Sequence, residues 1–303
     1  METSPFGPAA LAERPRLLGL AYRMTGSRSE AEDIVQEAFL RAQRTTPHAI
    51  RSPAAYLTTI TTRLAIDHMR SARARRESYV GPWLPEPIDL EPAPDAAANA
   101  VRNDTLSLAL LIVLETLSPH ERAVLLLHDV FSYSHAEIAI IVQRSEAACR
   151  QLLRRARQRV DRGRPRRTVE PAVRDEVLRR FIAACEGGDL DSFIATLSGD
   201  AVLTFDGGPE IRTAARHPIR GADRVGRFLA HVMRRMTPAR ALVPVTLNGG
   251  PAVLAYNGRD ELIGAVFVEP ADDGRIGAID WIRNPTKLAG LHRPRAPERD
   301  TTR

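Results

Sequence analysis

The sequence predicts a multidomain chain in which two all-α modules precede an α+β domain. Three observations carry this expectation. Helix-start signals crowd residues 1–162 without any strand pattern; a proline-rich acidic segment, Tyr79–Ala98, cuts that half in two; and short β-rich runs begin only after about residue 200.

The helices of the first half announce themselves by their caps. Ser27 with Glu30 has the form of a capping box, where hydroxyl and carboxylate satisfy backbone N–H groups left open at a helix start. Ser52-Pro53 sets a cap residue before a proline at the first helical position. Ser118-Pro119-His120-Glu121 combines both devices, and Ser134 with Glu137 repeats the box. Helices are expected near 9–25, 28–44, 53–77, 103–117, 119–131, 135–142 and 146–162. Pro82, Pro85, Pro87, Pro92 and Pro94, interspersed with acids, make the segment between the third and fourth helices an extended linker. Beyond a second linker, helices near 172–187, 189–197 and 220–236 mix with strands at Ala201–Phe205, Ala241–Leu247, Ala252–Tyr256, Leu262–Val268 and Ile276–Ile282. Asn248-Gly249-Gly250, Asn257-Gly258 and Asp272-Asp273-Gly274 supply the turns. The expected bounds are 8–78 and 103–162 for the helical modules, 79–102 and 163–171 for the linkers and 172–290 for the α+β domain. A polar tail, 291–303, is expected to be disordered.

Composition narrows the function. The chain has 303 residues, enough for several cores. No apolar run approaches a membrane span, and the longest, near Leu108–Leu114, suits a helix core. Met1–Ala10 lacks the basic-then-apolar order of an export signal, so no export is expected. Cys149 and Cys185 lie in helical segments without metal spacing; a reducing cytoplasm, with no metal and no cofactor, is the expectation. The net charge is +6, and its placement matters more than its size. Ten arginines stand against Glu146 and Asp161 between Gln143 and Arg167, and Arg70, Arg73, Arg75 and Arg76 form a second cluster. Two separate basic patches suit a polyanion, most simply nucleic acid, although a solvated helix face has the same composition. Lys287 is the only lysine, which reads as the arginine bias of a GC-rich genome.

The sharpest signal is a helix-turn-helix in His128–Val160. After a short helix, His135–Val142, and a three-residue break, Cys149, Leu152, Leu153, Ala156 and Val160 recur at helical spacing as a buried stripe. Glu146, Arg150, Arg154 and Arg157 share the opposite face. A guanidinium fork serves both tasks such a face would have, bidentate contact with guanine and release of counterions from phosphates. Ser134-His135-Ala136-Glu137-Ile138-Ala139, Ser145-Glu146-Ala147-Ala148-Cys149-Arg150 and Arg154-Arg155-Ala156-Arg157 resemble region 4 of extracytoplasmic-function sigma factors. The resemblance implies that Ser145, Glu146, Ala147, Arg150, Gln151, Arg154, Arg155 and Arg157 meet the −35 promoter element. Gln143 stands where that family usually has glycine, so a left-handed residue there should cost about 1 kcal/mol.

Asp33-Ile34-Val35-Gln36-Glu37-Ala38-Phe39-Leu40-Arg41-Ala42 is similar to region 2.2 of the same family. Ala31, Ile34, Val35, Ala38 and Ala42 read as its core stripe. The resemblance implies that Asp33, Gln36, Glu37, Leu40 and Arg41 dock on the β′ clamp helices of core RNA polymerase, with the β flap as a second contact. The next helix resembles regions 2.3 and 2.4. Thr58, Thr59, Thr61 and Thr62 are mediocre helix formers that packing must hold. Thr62, Arg63, Asp67 and Arg70 are thereby expected to touch the unstacked −10 strand, the bland alternative for Asp67 being an ion pair with Arg63 or Arg70.

Within the linker, Trp83-Leu84-Pro85-Glu86-Pro87 sets a large ring in a stiff segment that loses little entropy on docking. It resembles a marker of one sigma-factor subgroup whose members carry a cone-shaped SnoaL-like domain at the C-terminus. Asp206-Gly207-Gly208-Pro209-Glu210 and Asn284-Pro285-Thr286-Lys287-Leu288 are similar to two further motifs of that subgroup, the first without its lysine and third glycine. The resemblance implies regulation in cis through Trp83, Leu84, Pro85, Asp206, Gly207, Gly208, Asn284, Pro285, Lys287 and Leu288, with the C-terminal domain packed on the linker and region 2. Because SnoaL-like relatives include cyclases and isomerases, Asp206 beside Tyr256 or Trp281 would suit an acid–base role. Before Gly-Gly it reads more simply as a turn residue, and His217 and His231 as surface residues, so no enzymatic activity is expected. The competing readings are a ligand-sensing DNA-binding regulator that works without polymerase, and a SnoaL-like enzyme fused to a DNA-binding unit.

Overall fold

Capping chemistry places most helices where the sequence puts them. The computed structural model describes residues 7–45, 52–77, 79, 81–89, 106–163, 169–211, 215–235 and 241–291. They fall into two units, the first built from Met1–Ser78 and Asp104–Pro165, the second from Tyr79–Asn103 and Arg166–Arg303. The proline-rich linker therefore groups with the sheet domain. Residues 90–102 of that linker, most of the second linker and the tail beyond Leu291 lie outside the described residues.

In the first unit, α1 (Gly7–Thr25), α2 (Arg28–Gln43) and α3 (Pro53–Glu77) pack together. Ser27 caps α2 by accepting from the Glu30 N–H, and Ala31, Ile34, Val35, Ala38 and Ala42 are its buried face, as their spacing requires. Then follow α4 (Leu108–Leu114), α5 (Pro119–Leu125), α6 (His135–Val142) and α7 (Glu146–Gly163). Of the three predicted capping boxes, Ser118–Glu121 and Ser134–Glu137 form in full, and at Ser27 the hydroxyl accepts from the Glu30 N–H.

Two helix lengths need correction. The fourth helix, expected over 103–117, has its cap at Ser107, whose hydroxyl accepts from Leu110 N–H, and ends at Leu114. The fifth, expected over 119–131, leaves α geometry at Leu125 and widens into a π turn, Leu126–Val130. Leu125, Leu126 and Leu127 are all buried, the last two on the π turn. Gln143 closes α6 in the left-handed conformation, φ 54°. Gln143→Gly should raise the stability of this unit by about 0.5–1 kcal/mol, measured as a shift in urea midpoint.

The second unit holds α8 (Pro171–Gly187), α9 (Leu190–Thr196), α10 (Ala222–Arg235), the short α11 (Pro285–Leu288) and a six-stranded sheet. Its strands are β1 (Leu197–Asp206), β2 (Ile219–Arg220), β3 (Ala241–Leu247), β4 (Gly250–Tyr256), β5 (Leu262–Pro270) and β6 (Ile276–Ile282), in the order β2-β1-β6-β5-β4-β3. Only the β1–β6 pair is parallel. This is the α+β domain the sequence predicts, with β2 unforeseen and β1 longer at both ends.

Leu203, Phe205, Val266, Val268, Ile279 and Trp281 join Val177, Phe181 and Leu229 of the helices in one apolar core. Because successive strand residues face opposite ways, Thr204, Asp206 and Asp280 lie on the other face of the sheet. Asp206 both ends a strand and opens the turn that the sequence expects, its Oδ1 accepting from the Gly208 N–H two residues on. It closes β1, paired with Ile282 of β6.

Candidate functional site

On α7 the amphipathic pattern appears as read. Cys149, Leu153, Ala156 and Val160 are buried, with Leu152 half-buried. Ser145, Glu146, Ala147, Arg150, Gln151, Arg154, Arg155 and Arg157 are all exposed. Ser145 caps the helix through the Ala148 N–H, so its hydroxyl is already engaged. Arg157 is also less free than its spacing suggests. Its guanidinium grips both oxygens of Asp129 at 2.5 and 3.1 Å. Burial opposes ionisation of Asp129, but Arg157 and His128 hold its carboxyl below the usual range. Glu121 is likewise held low despite burial, by the Ser118 N–H and hydroxyl and by Arg159 and Arg155. Arg150 reaches only Glu146, at 3.3 Å, which leaves Arg150 and Arg154 as the most available cations of this face.

The α2 face is mixed, as expected. Asp33, Gln36 and Arg41 are exposed, Glu37 is half-buried and bonded to Arg41 at 2.7 Å, and Leu40 is 41% exposed. Helix α3 departs from expectation. Thr62 is fully buried, as are Thr58 and Thr61, so its hydroxyl is not presented to a strand. It packs into the core of the unit because α3 lies against α1, α2, α5 and α6. Arg63 points at the helix-turn-helix, donating from Nε to the Ile141 carbonyl and from Nη2 to the Ile140 carbonyl, both at 2.9 Å. These are open carbonyls at the end of α6, which a cation satisfies well. Asp67 and Arg70 pair loosely, at 3.4 Å, on an exposed face.

The second cluster is built around Asp206. Its Oδ1 accepts from the Tyr79 hydroxyl at 2.5 Å and the Gly208 N–H at 3.1 Å. Its Oδ2 accepts from the Leu84 N–H at 2.8 Å and Lys287 Nζ at 2.6 Å. Lys287 also donates to the Leu84 carbonyl, and its ammonium stands 4.0 Å from the centre of the Trp83 ring. One lysine and one aspartate therefore grip both sides of the Leu84 backbone. Burial, then the bond to Asp206 and its charge, raises the Tyr79 phenol well above its ordinary range.

Asn284 caps α11 and donates to the Tyr79 hydroxyl at 2.9 Å. Gly208, at φ +65°, lies so close to Asn284 that an added Cβ would stand 2.8 Å from Asn284 Cγ. Further along, Ile88 and Asn248 exchange two hydrogen bonds. Leu84, Pro85, Glu86 and Pro87 are buried, and Trp83 is half-buried. Of the expected regulatory residues, Gly207 and Leu288 are buried nearby and Pro285 is exposed.

Tyr79, Asn248 and Ile88 were not foreseen. Lys287 offered a signal that was misread: a single lysine among 43 basic residues sits in a buried ion pair. A compact ammonium fits between a carboxylate, a carbonyl and an indole face, where a planar guanidinium does not. The same geometry argues against acid–base chemistry at Asp206. Its oxygens are taken by four donors, and it faces away from Trp281. His217 and His231 are exposed.

An arginine-faced helix-turn-helix packed on a three-helix module, joined to a sheet that holds its own linker, has the architecture of a promoter-directing initiation factor. The family model for Sigma-70 region 2 matches residues 10–75, and that for Sigma-70, region 4 matches residues 107–160. The chain is 39% identical to the ECF RNA polymerase sigma factor SigJ of Mycobacterium tuberculosis, across 96% of this chain and 94% of that protein. A probable ECF RNA polymerase sigma factor of the same organism, SigI, is 35% identical across 95% and 96%. The crystal structure of M. tuberculosis SigJ matches with a TM-score of 0.70, covering 92% of this chain and 96% of that one. The chain belongs to the extracytoplasmic-function RNA polymerase sigma factors, and its sheet domain is the SnoaL-like one. The fused-enzyme reading gives way to that assignment. Among the described residues, no helix is long and apolar enough to cross a membrane.

Proposed function

We propose that this sigma factor joins core RNA polymerase through the α2 face, reads the −35 element with α7 and the −10 element with α3, and is regulated in cis by the sheet domain. The exposed arginine face of α7, with Arg150 and Arg154 uncommitted to strong partners, is the observation that carries promoter reading. Asp33, Gln36, Glu37, Leu40 and Arg41 supply the polymerase contact on the β′ clamp helices, with region 4 against the β flap, so the protein works where polymerase does, in the cytoplasm. Cis regulation follows from the grip on the linker. The sheet domain holds the segment that joins regions 2 and 4, and therefore limits how far they can separate; packing of that domain on region 2 would limit it further.

The test is run-off transcription with purified core enzyme. Arg150→Glu with Arg154→Glu should weaken promoter binding at least about 100-fold, each lost contact being worth about 1–3 kcal/mol, with core binding intact. Glu37→Arg should instead reduce capture by core enzyme. Core capture by the unaltered chain also excludes a regulator acting without polymerase. Cis control is tested by comparing Met1–Arg167 with the full chain, where identical promoter binding and output would refute it.

A further inference from the structure

Between α3, the start of α5 and the turn of the helix-turn-helix lies a hollow of about 170 Å³ lined by Arg63, Asp67, Arg70, His120, Gln143 and Arg144. Its charge is unbalanced. Arg63 is occupied by the α6 carbonyls. The one carboxylate, Asp67, has a side chain 72% exposed and lies 3.4 Å from Arg70, so water screens it. Among the described residues, the Arg144 guanidinium has no hydrogen-bond or ion-pair partner. His120 registers the resulting field: burial, then the charges of Arg70 and Arg144, push its imidazole below the ordinary histidine range, with Asp67 opposing. Cations from two segments, α3 and the turn, and a neutral imidazole from a third converge on one concave space.

We propose that this hollow binds a phosphate ester, held by the Arg70 and Arg144 guanidinium forks and by His120. Paired N–H donors of a guanidinium match the oxygens of a phosphate, and an anion here relieves the repulsion among the lining cations. On binding, the neutral imidazole takes a proton from solvent and becomes a further donor. The phosphate can come from a nucleic-acid backbone or from a small phosphorylated metabolite. Either one would bridge α3 to the turn of the helix-turn-helix and strengthen their packing. This goes beyond promoter reading, since it needs neither a promoter nor polymerase.

The experiment is calorimetric titration of the full-length protein at constant ionic strength with two probes, inorganic pyrophosphate and a short single-stranded DNA oligonucleotide. Thermal unfolding and the His120 imidazole proton resonances are followed in parallel. Pyrophosphate should bind one site, raise the unfolding midpoint and shift His120 toward its protonated position. Arg144→Ala should weaken that binding at least about tenfold, the loss of one charge-assisted contact, while the exposed α10 variant Arg227→Ala binds as the parent does. Because the Arg144 guanidinium has no hydrogen-bond or ion-pair partner among the described residues, the unliganded variant should unfold no lower than the parent, which separates lost binding from lost folding. Binding of the oligonucleotide alone, lost in Arg144→Ala, supports the site and assigns its phosphate to nucleic acid. Affinity for both probes unchanged in Arg144→Ala, or no binding of either at millimolar concentration, overturns the proposal.

Discussion

Lys287→Met should cost the sheet unit about 3–5 kcal/mol and release the Gly81–Asp89 segment, because it strands Asp206 as a buried charge without its cation. The loss is one of pairing rather than shape, since methionine has nearly the same length and retains the apolar stem. Three neutral donors would remain on Asp206, from Tyr79, Leu84 and Gly208, but none carries a compensating charge. Release is read by tryptophan emission. The chain has two tryptophans, and Trp281 is 5% exposed within the core, so a red shift reports Trp83 leaving the ammonium. Pairing Lys287→Met with Asp206→Asn should recover part of the stability by removing the orphaned charge. Lys287→Arg should not rescue the parent behaviour, because the planar fork cannot occupy the same space. Unchanged urea midpoints and emission in Lys287→Met would show that the ion pair does not hold the linker.

The second large effect concerns Asp280, which is buried on the sheet face opposite Ile279 and Trp281. Burial raises its carboxyl to about 7. The Thr204 hydroxyl opposes that rise and the nearby Glu269 reinforces it. Glu269 is itself raised by burial, with Arg174 opposing at 3.4 Å. Between about pH 4 and about 7 the folded protein holds a proton on Asp280 that the unfolded chain has lost. Stability must therefore fall as pH rises through that window and level off above it. Asp280→Asn removes the ionisation and should be more stable than the parent by about 4 kcal/mol near pH 8, with little difference near pH 4. Urea unfolding at the two pH values measures this. Parallel pH profiles for parent and variant would contradict it. A residual slope from Glu269 is expected in both.

Much of the first unit was legible in the residues because its determinants are local. A serine three residues before a glutamate specifies a helix start within one turn of chain, and each such serine caps its helix. The buried stripe of α2 and the arginine face of α7 follow from helical spacing alone. Less was legible wherever a side chain's partner lies far along the sequence. Thr62 has the composition of a nucleic-acid contact, and only the packing of α3 against its neighbouring helices shows it buried. Arg63 is 78 residues from the Ile141 carbonyl it caps. The π turn at Leu126–Val130 carries Leu126 and Leu127 into the core, and no local signal marks it.

By itself the sequence determined the order of domains, the caps at Ser27, Ser52, Ser118 and Ser134, the exposed cations of α7 and the family these patterns match. All are properties of short stretches, where dihedral preference and amphipathic spacing decide the outcome. Tertiary structure alone decided that Tyr79, Leu84 and Lys287 converge on Asp206 and that Lys287 reaches Leu84 across 203 residues of chain. Such pairing depends on which groups share a desolvated space once strands β1 and β6 align, because a buried charge must be matched there and nowhere else.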